Sequence, residues 1–408
     1  MKVVKPESVG MAGARLDRIG EHLRAQYVEP GKIPGSLTLV ARRGEVCYLQ
    51  AEGLSDRERE QPMAEDSIFR IYSMSKPVTS VALMMLFEQG LVALTDPVHR
   101  FIPQWRDLQV YKGGTWPAFE TEPCHRPMTV RDLLMHTSGL TYGFMRSTNV
   151  DRAYRKKKIQ VPRPGYTLQH MVDDLAEIPL EFSPGEAWNY SVATDVLGYL
   201  VEVISGQPYD QFLQQKLFEP LGMSDTAFSI TPDKEARFAA CYQRNMDKSV
   251  TLQDDPQDSD YRERSFFSGG GGLISTIGDY YRFCQMLRNG GELNGERILG
   301  PRTIEFMTRN HLPGNRDLTS IARGSFSETS NEGVGFGLGF ASRIDPVRNA
   351  NLGSVGAYNW GGMASTLFWV DPAEDLVVIF MTQLMPSGTF NFRGQLQSII
   401  YSAIEDQA

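Results

Sequence analysis

The chain has 408 residues, of which 41% are hydrophobic and 22% are charged, so a large core is possible and disorder over the whole length is excluded. Acidic residues outnumber basic ones by 49 to 41, giving a net charge of −8, which argues against a nucleic-acid partner. The longest apolar stretches, at 81–87 and 376–381, are too short for a membrane span. Four widely spaced cysteines and a first segment without an apolar signal core favour a cytoplasmic protein that needs no metal or other cofactor.

The sequence predicts strands near both ends of the chain, with one helix at each end. Leu16, Ile19 and Leu23 recur at helical spacing, and two runs rich in Val, Ile, Phe and Trp flank the break at Asp371 and Pro372. The predicted elements of the two ends are, in chain order, a helix over 12–27, strands over 36–41, 45–51, 364–370 and 376–382, and a helix over 392–404.

The middle of the chain reads mostly as helices and long loops. Thr129 and Asp132, for example, are spaced as the capping box of a helix start. The simplest topology joins residues 1–95 and 265–408 into one α/β domain, an antiparallel sheet flanked by the terminal helices. Residues 96–264 then form an inserted, mainly helical domain, and a site is expected in the crevice between the two domains.

The tetrad from Ser73 to Lys76 is the one S-x-x-K sequence of the chain, and it opens a predicted helix. Pro77 fits only in a first turn, so Ser73 should lie at the amino end with Lys76 one turn further on the same face. The helix dipole there favours negative charge on an attacked carbonyl oxygen, and a partly desolvated lysine can take a proton from a hydroxyl. Taken alone, the tetrad also fits a helix-start serine beside an exposed lysine.

Tyr190 is the second candidate for chemistry. Pro184 and Gly185 make a turn shortly before it, and a helix follows directly, so its phenol can point into a crevice. A phenol beside a lysine cation forms a phenolate more easily and can act as a base. Taken alone, a buried tyrosine with one hydrogen bond fits the same pattern.

The third candidate is the segment from Tyr358 to Met363, directly before a predicted strand. Its two glycines, Gly361 and Gly362, allow backbone N–H groups to approach a ligand closely. One such N–H, paired with that of Ser73, would make an oxyanion hole. An ordinary glycine turn with a core tryptophan is the alternative.

Two further segments are interpreted as structural. The run from Ser268 to Gly272 lacks the context of a phosphate-binding loop and is predicted to be a place of close backbone approach. His136, in a His-Thr-Ser-Gly sequence, is interpreted as a residue at a helix end rather than a ligand or base.

Together, the three candidate elements resemble the serine β-lactamase and penicillin-binding-protein family, with the class C branch nearest. The resemblance covers almost the whole chain and includes residues 128–140, 220–228 and 273–276. It implies a β-lactamase/transpeptidase-like fold of mixed α/β (α+β) type, with an antiparallel sheet and a helical domain.

The resemblance also assigns roles to the candidate residues. It implies that Ser73 is the nucleophile, Lys76 its partner and Tyr190 the second base. It further implies an oxyanion hole formed by the backbone N–H groups of Ser73 and Met363. The residues leave open whether Lys76 or Tyr190 is the base, because strongly coupled groups titrate as a pair.

Two departures from the lactamase pattern point to a subfamily. Two residues after the tyrosine, the pattern has Asn and this chain has Val192. Where the pattern has Lys-Thr-Gly, this chain has Trp360, Gly361 and Gly362, and an indole cannot offer the cation that holds a substrate carboxylate. Tyr-Ser-Val and Trp-Gly-Gly resemble the family VIII carboxylesterases, which keep the lactamase fold and hydrolyse simple esters.

The resemblance therefore implies a serine carboxylesterase that hydrolyses small, short-chain esters through an acyl-Ser73 intermediate. An acyltransferase with the same acyl-enzyme, a class C-like β-lactamase or DD-peptidase, and a catalytically silent binding protein are the alternatives. The expected assembly is a monomer or a small homo-oligomer. The expected substrate contacts are Gly361 and Gly362 together with an apolar, aromatic pocket made by Tyr142, Phe144, Trp188 and Trp360.

Overall fold

A computed structural model describes residues 1–323 and 332–406. Its centre is an antiparallel sheet of eight strands in the order β12-β13-β14-β15-β16-β1-β2-β3, so the two chain ends form one sheet as predicted. The remaining strands form one three-stranded sheet and three two-stranded sheets. The strands are β1 Gly35–Arg42, β2 Glu45–Asp56, β3 Gln61–Pro62, β4 Ile68–Arg70, β5 Gln109–Thr115, β6 Ala118–Pro123, β7 Cys241–Arg244, β8 Val250–Asp254, β9 Ile274–Thr276, β10 Glu292–Leu293, β11 Glu296–Arg297, β12 Val334–Phe336, β13 Ala341–Arg343, β14 Tyr358–Gly361, β15 Leu367–Asp371, β16 Leu376–Met381 and β17 Leu384–Met385.

Helices cover both faces of this sheet. The terminal helices lie on one face, and the long helices α3 and α10 lie on the other. The α-helices are α1 Gly13–Leu16, α2 Arg18–Leu23, α3 Ser75–Glu88, α4 Val130–Leu134, α5 Asn149–Lys156, α6 Leu168–Leu175, α7 Ala193–Ser205, α8 Tyr209–Leu213, α9 Glu219–Leu221, α10 Ile277–Arg288, α11 Pro301–Thr308, α12 Pro346–Asn349 and α13 Phe392–Tyr401.

The central strands are apolar on both faces because the sheet is covered on both sides. In β1, Leu39 faces the core that contains α3, whereas Val40 faces the core of the terminal helices. Their partners in β16 follow the same alternation, with Ile379 opposite Leu39 and Val378 opposite Val40. The period of two in the strand sequence therefore builds two separate cores.

The structure moves several predicted boundaries. The helix expected over 12–27 is interrupted at Asp17, and the strand expected from Ala364 begins only at Leu367. Residues 364–366 instead turn the chain, with Ser365 in the left-handed region at φ 66°. The middle of the chain also contains two hairpins, β5–β6 and β7–β8, besides its helices.

The fold class is confirmed, because the sheet is antiparallel and is flanked by the terminal helices. The division into residues 1–95 with 265–408 and residues 96–264 stays a prediction. None of the helices in the described ranges has the length and apolar character needed to cross a bilayer.

Candidate active site

Ser73 lies in a tight turn between β4 and α3. The backbone of Arg70, at the end of β4, is held by the Gln383 side chain, which accepts from the Arg70 N–H at 3.1 Å and donates to its carbonyl at 3.1 Å. Tyr72 has φ 41°, in the left-handed region that a tyrosine rarely adopts. The surrounding bonds must therefore hold this turn in place, and strained backbone of this kind is concentrated at functional sites.

Helix α3 is buried over nearly its whole length, which fixes the position of its first turn. The carbonyl of Met74 accepts from the Tyr280 phenol at 2.9 Å, and the Ser75 hydroxyl accepts from the backbone N–H of Leu273 at 3.1 Å. These bonds join the amino end of α3 to α10 and to the segment leading into β9. Side chains in this turn are therefore held on a rigid element.

Ser73, Lys76 and Tyr190 come together as the sequence predicts. The Lys76 ammonium donates to Ser73 Oγ at 3.1 Å, and the Tyr190 phenol donates to the same oxygen at 2.6 Å. Lys76 Nζ also lies 4.6 Å from the centroid of the Tyr190 ring. All three residues are at least nine-tenths buried, so their interactions are screened little by water.

Tyr190 is held by the segment that follows α4. Next to it, the backbone N–H of Asn189 donates to the His136 carbonyl at 2.9 Å, and the Asn189 amide donates to the Leu140 carbonyl at 2.9 Å. The N–H of Val192 donates to the Thr141 carbonyl at 3.3 Å. The His-Thr-Ser-Gly segment thus fixes the loop that carries the phenol.

His136 is a fully buried neighbour of this group. Its ring lies 5.0 Å from the Tyr190 ring and 5.7 Å from the Phe336 ring, and Nδ1 is 3.2 Å from the Ser191 hydroxyl. Burial, assisted by the charge of Lys76, lowers the pKa of His136 well below its usual value. His136 is therefore neutral at neutral pH, which agrees with the interpretation as a structural residue.

The glycine run after Ser268 approaches Lys76 from the other side. The carbonyl of Gly270 accepts from Lys76 Nζ at 2.6 Å, and the N–H of Gly270 donates to a carboxylate oxygen of Asp195 at 3.0 Å. The Ser268 hydroxyl donates to the same oxygen, and the Gln160 amide donates to the other one. A Cβ at position 270 would lie 2.7 Å from Asp195 Oδ2, so the predicted close backbone approach is present.

Met363 follows the end of β14 and lines the same cavity as Ser73. A Cβ on Gly362 would collide with the backbone carbonyl of Ile71, so only glycine lets this turn approach the Ser73 segment. The Gly362 N–H donates to the Thr366 carbonyl at 2.8 Å, which closes the turn. Of the third candidate segment, Met363 therefore borders the Ser73 cavity, whereas Gly361 and Gly362, which were expected as substrate contacts, line a different cavity.

Ser73 opens onto a cavity of about 650 Å³. Part of its wall is aromatic and part is acidic, because the end of the β7–β8 hairpin and the turns after it carry four aspartates. The aromatic side chains of the lining are Tyr72, Tyr142, Phe144, Tyr261 and Phe266, and the charged ones are Asp254, Asp255, Asp258, Asp260 and Arg264.

The predicted aromatic pocket is partly wrong. Tyr142 and Phe144 do line the cavity and stack with their ring centroids 4.6 Å apart. Trp188 and Trp360 do not: both are buried behind Tyr190, where the Trp360 ring lies 5.6 Å from the phenol ring. The large apolar indoles fill the core beneath the site, and the pocket wall is more polar than expected.

This arrangement can activate the Ser73 hydroxyl as a nucleophile, and the cavity can hold the acyl group that Ser73 would then carry. Ser73 Oγ has two groups within hydrogen-bond distance that are able to exchange its proton, Lys76 and Tyr190. Among the described residues, no group of three or more His, Cys, Asp or Glu side chains is arranged to hold a metal ion. The expectation that no cofactor is needed stays a prediction.

Comparison with known proteins places this geometry in a family. The Beta-lactamase family model matches residues 21–398. The chain belongs to the β-lactamase family. Esterase EstB of Burkholderia gladioli is 31% identical over 393 residues, covering 92% of this chain and 91% of EstB.

Two further similarities refine the placement within the β-lactamase family. An uncharacterised protein of Mycobacterium tuberculosis is 34% identical over 365 residues, 88% of each chain. The solved structure of EstCE1, described as a hydrolase with promiscuous acyltransferase activity, superposes with a TM-score of 0.79 at 28% identity, covering 95% of this chain and 99% of EstCE1. The family resemblance stated from the motifs is therefore confirmed.

Sequence reasoning missed the groups that surround Lys76 on the side away from Ser73. Asp195 follows Tyr190 by five residues, but a lone aspartate in the first turn of a helix is usually explained by the helix dipole alone. Sequence reasoning also missed the acidic wall, because aspartates such as those of residues 254–260 are common in exposed loops. No short-range pattern in either segment indicates that it faces the site.

Proposed function

We propose that this β-lactamase-family protein is a serine carboxylesterase that hydrolyses small, neutral, short-chain esters through an acyl-Ser73 intermediate. The observation that supports this most strongly is the convergence of the Lys76 ammonium and the Tyr190 phenol on Ser73 Oγ at the floor of a cavity. The name of EstB, which is an esterase, supports the same activity.

In the acylation step, Ser73 Oγ forms a bond to the ester carbonyl carbon while its proton passes to the base, which is either Lys76 as the neutral amine or Tyr190 as the phenolate. The negative charge that develops on the carbonyl oxygen is held by the backbone N–H groups of Ser73, in the turn before α3, and Met363, after β14. The tetrahedral adduct then expels the alcohol, which takes up the proton. The products of this step are a free alcohol and the acyl ester of Ser73.

In the second step, a hydroxyl compound attacks the acyl-Ser73 carbonyl, with the same base removing its proton. Water as the attacking group releases a carboxylic acid and regenerates Ser73, which is hydrolysis. A second alcohol instead gives a new ester, which is acyl transfer. Transfer is the second candidate because EstCE1 is described as having both activities.

A β-lactamase or peptidase activity is disfavoured by the charge of the cavity. The side chain of Trp360 replaces the expected lysine and is buried, so it offers no cation to a substrate carboxylate. Asp258 and Asp260, which form no ion pair within the described residues, repel anionic substrates from the acidic wall of the cavity. Neutral esters avoid this cost, and the Tyr142 and Phe144 rings offer them apolar contact.

We further propose that the protein acts in the cytoplasm, as a monomer or a small homo-oligomer. The four cysteines are all free thiols, which suits a reducing compartment. Fractionation of the native cell should recover the protein with cytoplasmic markers, and light scattering should give a mass of one or a few chains. Recovery with secreted or membrane fractions would contradict the proposed location.

The test of the function compares three reactions of the purified protein. A p-nitrophenyl butyrate assay measures ester hydrolysis, a chromogenic cephalosporin measures lactam hydrolysis, and added primary alcohol measures acyl transfer. We expect rapid release of nitrophenol, with lactam turnover lower by more than tenfold in kcat/KM. Nitrophenol release that accelerates only with added alcohol would favour the transferase, and no turnover of any ester would contradict the proposal.

A further inference from the structure

Asp195 is a buried carboxylate whose position the esterase chemistry described above does not explain. It lies in the first turn of α7 with no exposed surface, five residues after Tyr190. Three donors converge on it, the Ser268 hydroxyl, the Gly270 N–H and the Gln160 amide. A carboxyl group that accepts from three donors carries the bonding pattern of the ionised form.

One residue connects this carboxylate to the site. The peptide groups on the two sides of Gly270 point in opposite directions, with its N–H directed to Asp195 at 3.0 Å and its carbonyl accepting from Lys76 Nζ at 2.6 Å. Gly270 has no Cβ, and one there would lie 2.7 Å from Asp195 Oδ2. The close approach of carboxylate, backbone and ammonium therefore requires glycine.

We propose that Asp195 is a positioning residue, which holds Lys76 beside Ser73 through the Gly270 backbone and supplies the negative charge that balances the Lys76 ammonium. This inference rests on the proposed function. The proposal adds Asp195 to the group of Ser73, Lys76 and Tyr190. The segment at the start of α7 then carries both the phenol that contacts Ser73 and the carboxylate behind Lys76.

The titratable groups around Lys76 support this role for Asp195. Its titratable neighbours are Tyr190 and Tyr142, whose rings lie 4.6 and 5.3 Å from Nζ, with buried, neutral His136 further along. Tyr209 lies near Asp195, and burial raises the pKa of its phenol, so it is neutral. Among the described residues, Asp195 provides a carboxylate whose charge interacts with that of Lys76.

The balance at Asp195 itself is set by two opposing effects. Burial raises the pKa of its carboxyl above the usual value, and Lys76, the Ser268 hydroxyl, the Gly270 N–H and the Gln160 amide offset only part of that rise. The ammonium and the carboxylate therefore stabilise each other across Gly270. Removing the carboxylate charge should allow Lys76 to lose its proton at a lower pH. The midpoint of the pH profile of Ser73 reactivity should therefore move to lower pH.

Asp195→Asn isolates the charge, because the new side chain keeps the shape and an acceptor for Gly270, and the Gln160 amide can flip to accept from it. The readout is the second-order rate of Ser73 labelling by a fluorophosphonate from pH 5 to pH 10. We expect the midpoint to fall by roughly one pH unit, the scale of the effect of one neighbouring opposite charge. Asp195→Glu, which retains the charge but not the geometry, should lower the rate and keep the midpoint.

Asp279→Asn is the matched control. Asp279 is also buried, burial also raises the pKa of its carboxyl, and it accepts from Asp225 and Thr226 rather than from the site. The midpoint of the labelling profile of the Asp279→Asn variant should equal that of the unaltered protein. If Asp195→Asn does not fold, Asp195→Ser, which removes the charge and leaves room for water, makes the same comparison.

The outcomes separate this inference from the proposed function. A folded Asp195→Asn protein that is labelled more slowly at every pH with an unmoved midpoint would overturn the role of Asp195 and leave the esterase proposal intact. An unaltered protein that is not labelled at Ser73 at any pH would overturn the proposed function, and the role of Asp195 with it. A lowered midpoint in the Asn variant alone supports the proposal.

Discussion

The Tyr190 phenol lies 2.6 Å from Ser73 Oγ, and the two residues reach this contact from elements 117 positions apart in the chain. Ser73 is carried by the turn before α3, and Tyr190 by the loop before α7. Because both helices are buried where they pack together, the contact is held rigidly. The proposed nucleophile and its phenol partner, fixed in this way, avoid reorganisation when a substrate arrives.

Removal of either partner of Ser73 should act on the chemical step. We expect Tyr190→Phe and Lys76→Met each to lower kcat for p-nitrophenyl butyrate by about 10² to 10⁴, the usual reach of general acid–base catalysis. Tyr199→Phe, which removes a phenol on the same helix α7 that bonds Gln169, should change kcat less than about twofold. A kcat close to that of the unaltered protein in either site variant would remove that residue from the mechanism.

Phe144 should contribute to ester binding rather than to chemistry. Its ring is 47% exposed at the cavity and stacks on Tyr142, so an acyl chain can cover it. Phe144→Ala should raise KM for butyrate and hexanoate esters by about three- to tenfold, because about 1 kcal/mol of apolar contact is lost. Phe306→Ala removes a ring of similar exposure outside the cavity lining and should leave KM unchanged. Equal KM values in both variants would remove Phe144 from the binding surface.

The acidic wall should discriminate by charge. Asp254 is paired with Arg70 and Asp255 with Arg59, whereas Asp258 and Asp260 form no ion pair within the described residues. The double change Asp258→Asn and Asp260→Asn should raise kcat/KM for a carboxylate-bearing ester about two- to fivefold over a neutral ester of equal length. Glu296→Gln, on the β10–β11 hairpin outside the cavity lining, is the control for loss of a negative charge elsewhere on the surface. An unchanged ratio in the double variant would contradict the repulsion.

His136 should make the folded protein less stable in mild acid. Its pKa in the folded state is lowered well below 6.5 by burial, so the unfolded chain takes up a proton below pH 6.5 that the folded chain does not. The stability present above that pH is then lost as the pH falls, by up to about 1.4 kcal/mol per pH unit. Urea unfolding at pH 7.5 and 5.5 should show a difference smaller by about 1 kcal/mol in His136→Gln.

His170→Gln provides the control for this measurement, because His170 is exposed on α6. It should show the same loss of stability between the two pH values as the unaltered protein. An equal loss in the His136 variant would mean that other groups set the acid sensitivity.

The sequence predicted the elements that depend on short-range pattern. Hydrophobic spacing, together with the Pro and Gly residues that end elements, predicted the terminal strands and helices. The same signals predicted the turn at Ser73 and the place of Tyr190 before a helix. The family resemblance added the fold and joined the three motifs, which lie more than a hundred residues apart. Trp360 lies behind Tyr190 instead of facing the cavity. The sequence could not show this, because a tryptophan at this position is compatible with either placement.

The parts that could not be predicted are those that depend on long-range contact between ordinary residues. Asp195 meets Gly270 across 75 positions, and neither an aspartate in a first helical turn nor a glycine run identifies the other. The acidic wall depends on where the β7–β8 hairpin docks, which Arg70 fixes by its bonds to Asp254 and to the Ala239 carbonyl. A buried arginine at the end of a strand gives no local sign of the partner that it will hold.

The most direct test of the account is to identify the residue that carries the acyl group. The protein is mixed with a slowly hydrolysed ester or a fluorophosphonate, quenched and digested, and the modified peptide is sequenced by mass spectrometry. We predict one adduct, on Ser73, that is absent in Ser73→Ala and retained in Ser75→Ala, whose hydroxyl bonds the Leu273 N–H. An adduct on another residue, or one that persists in folded Ser73→Ala, would contradict the account.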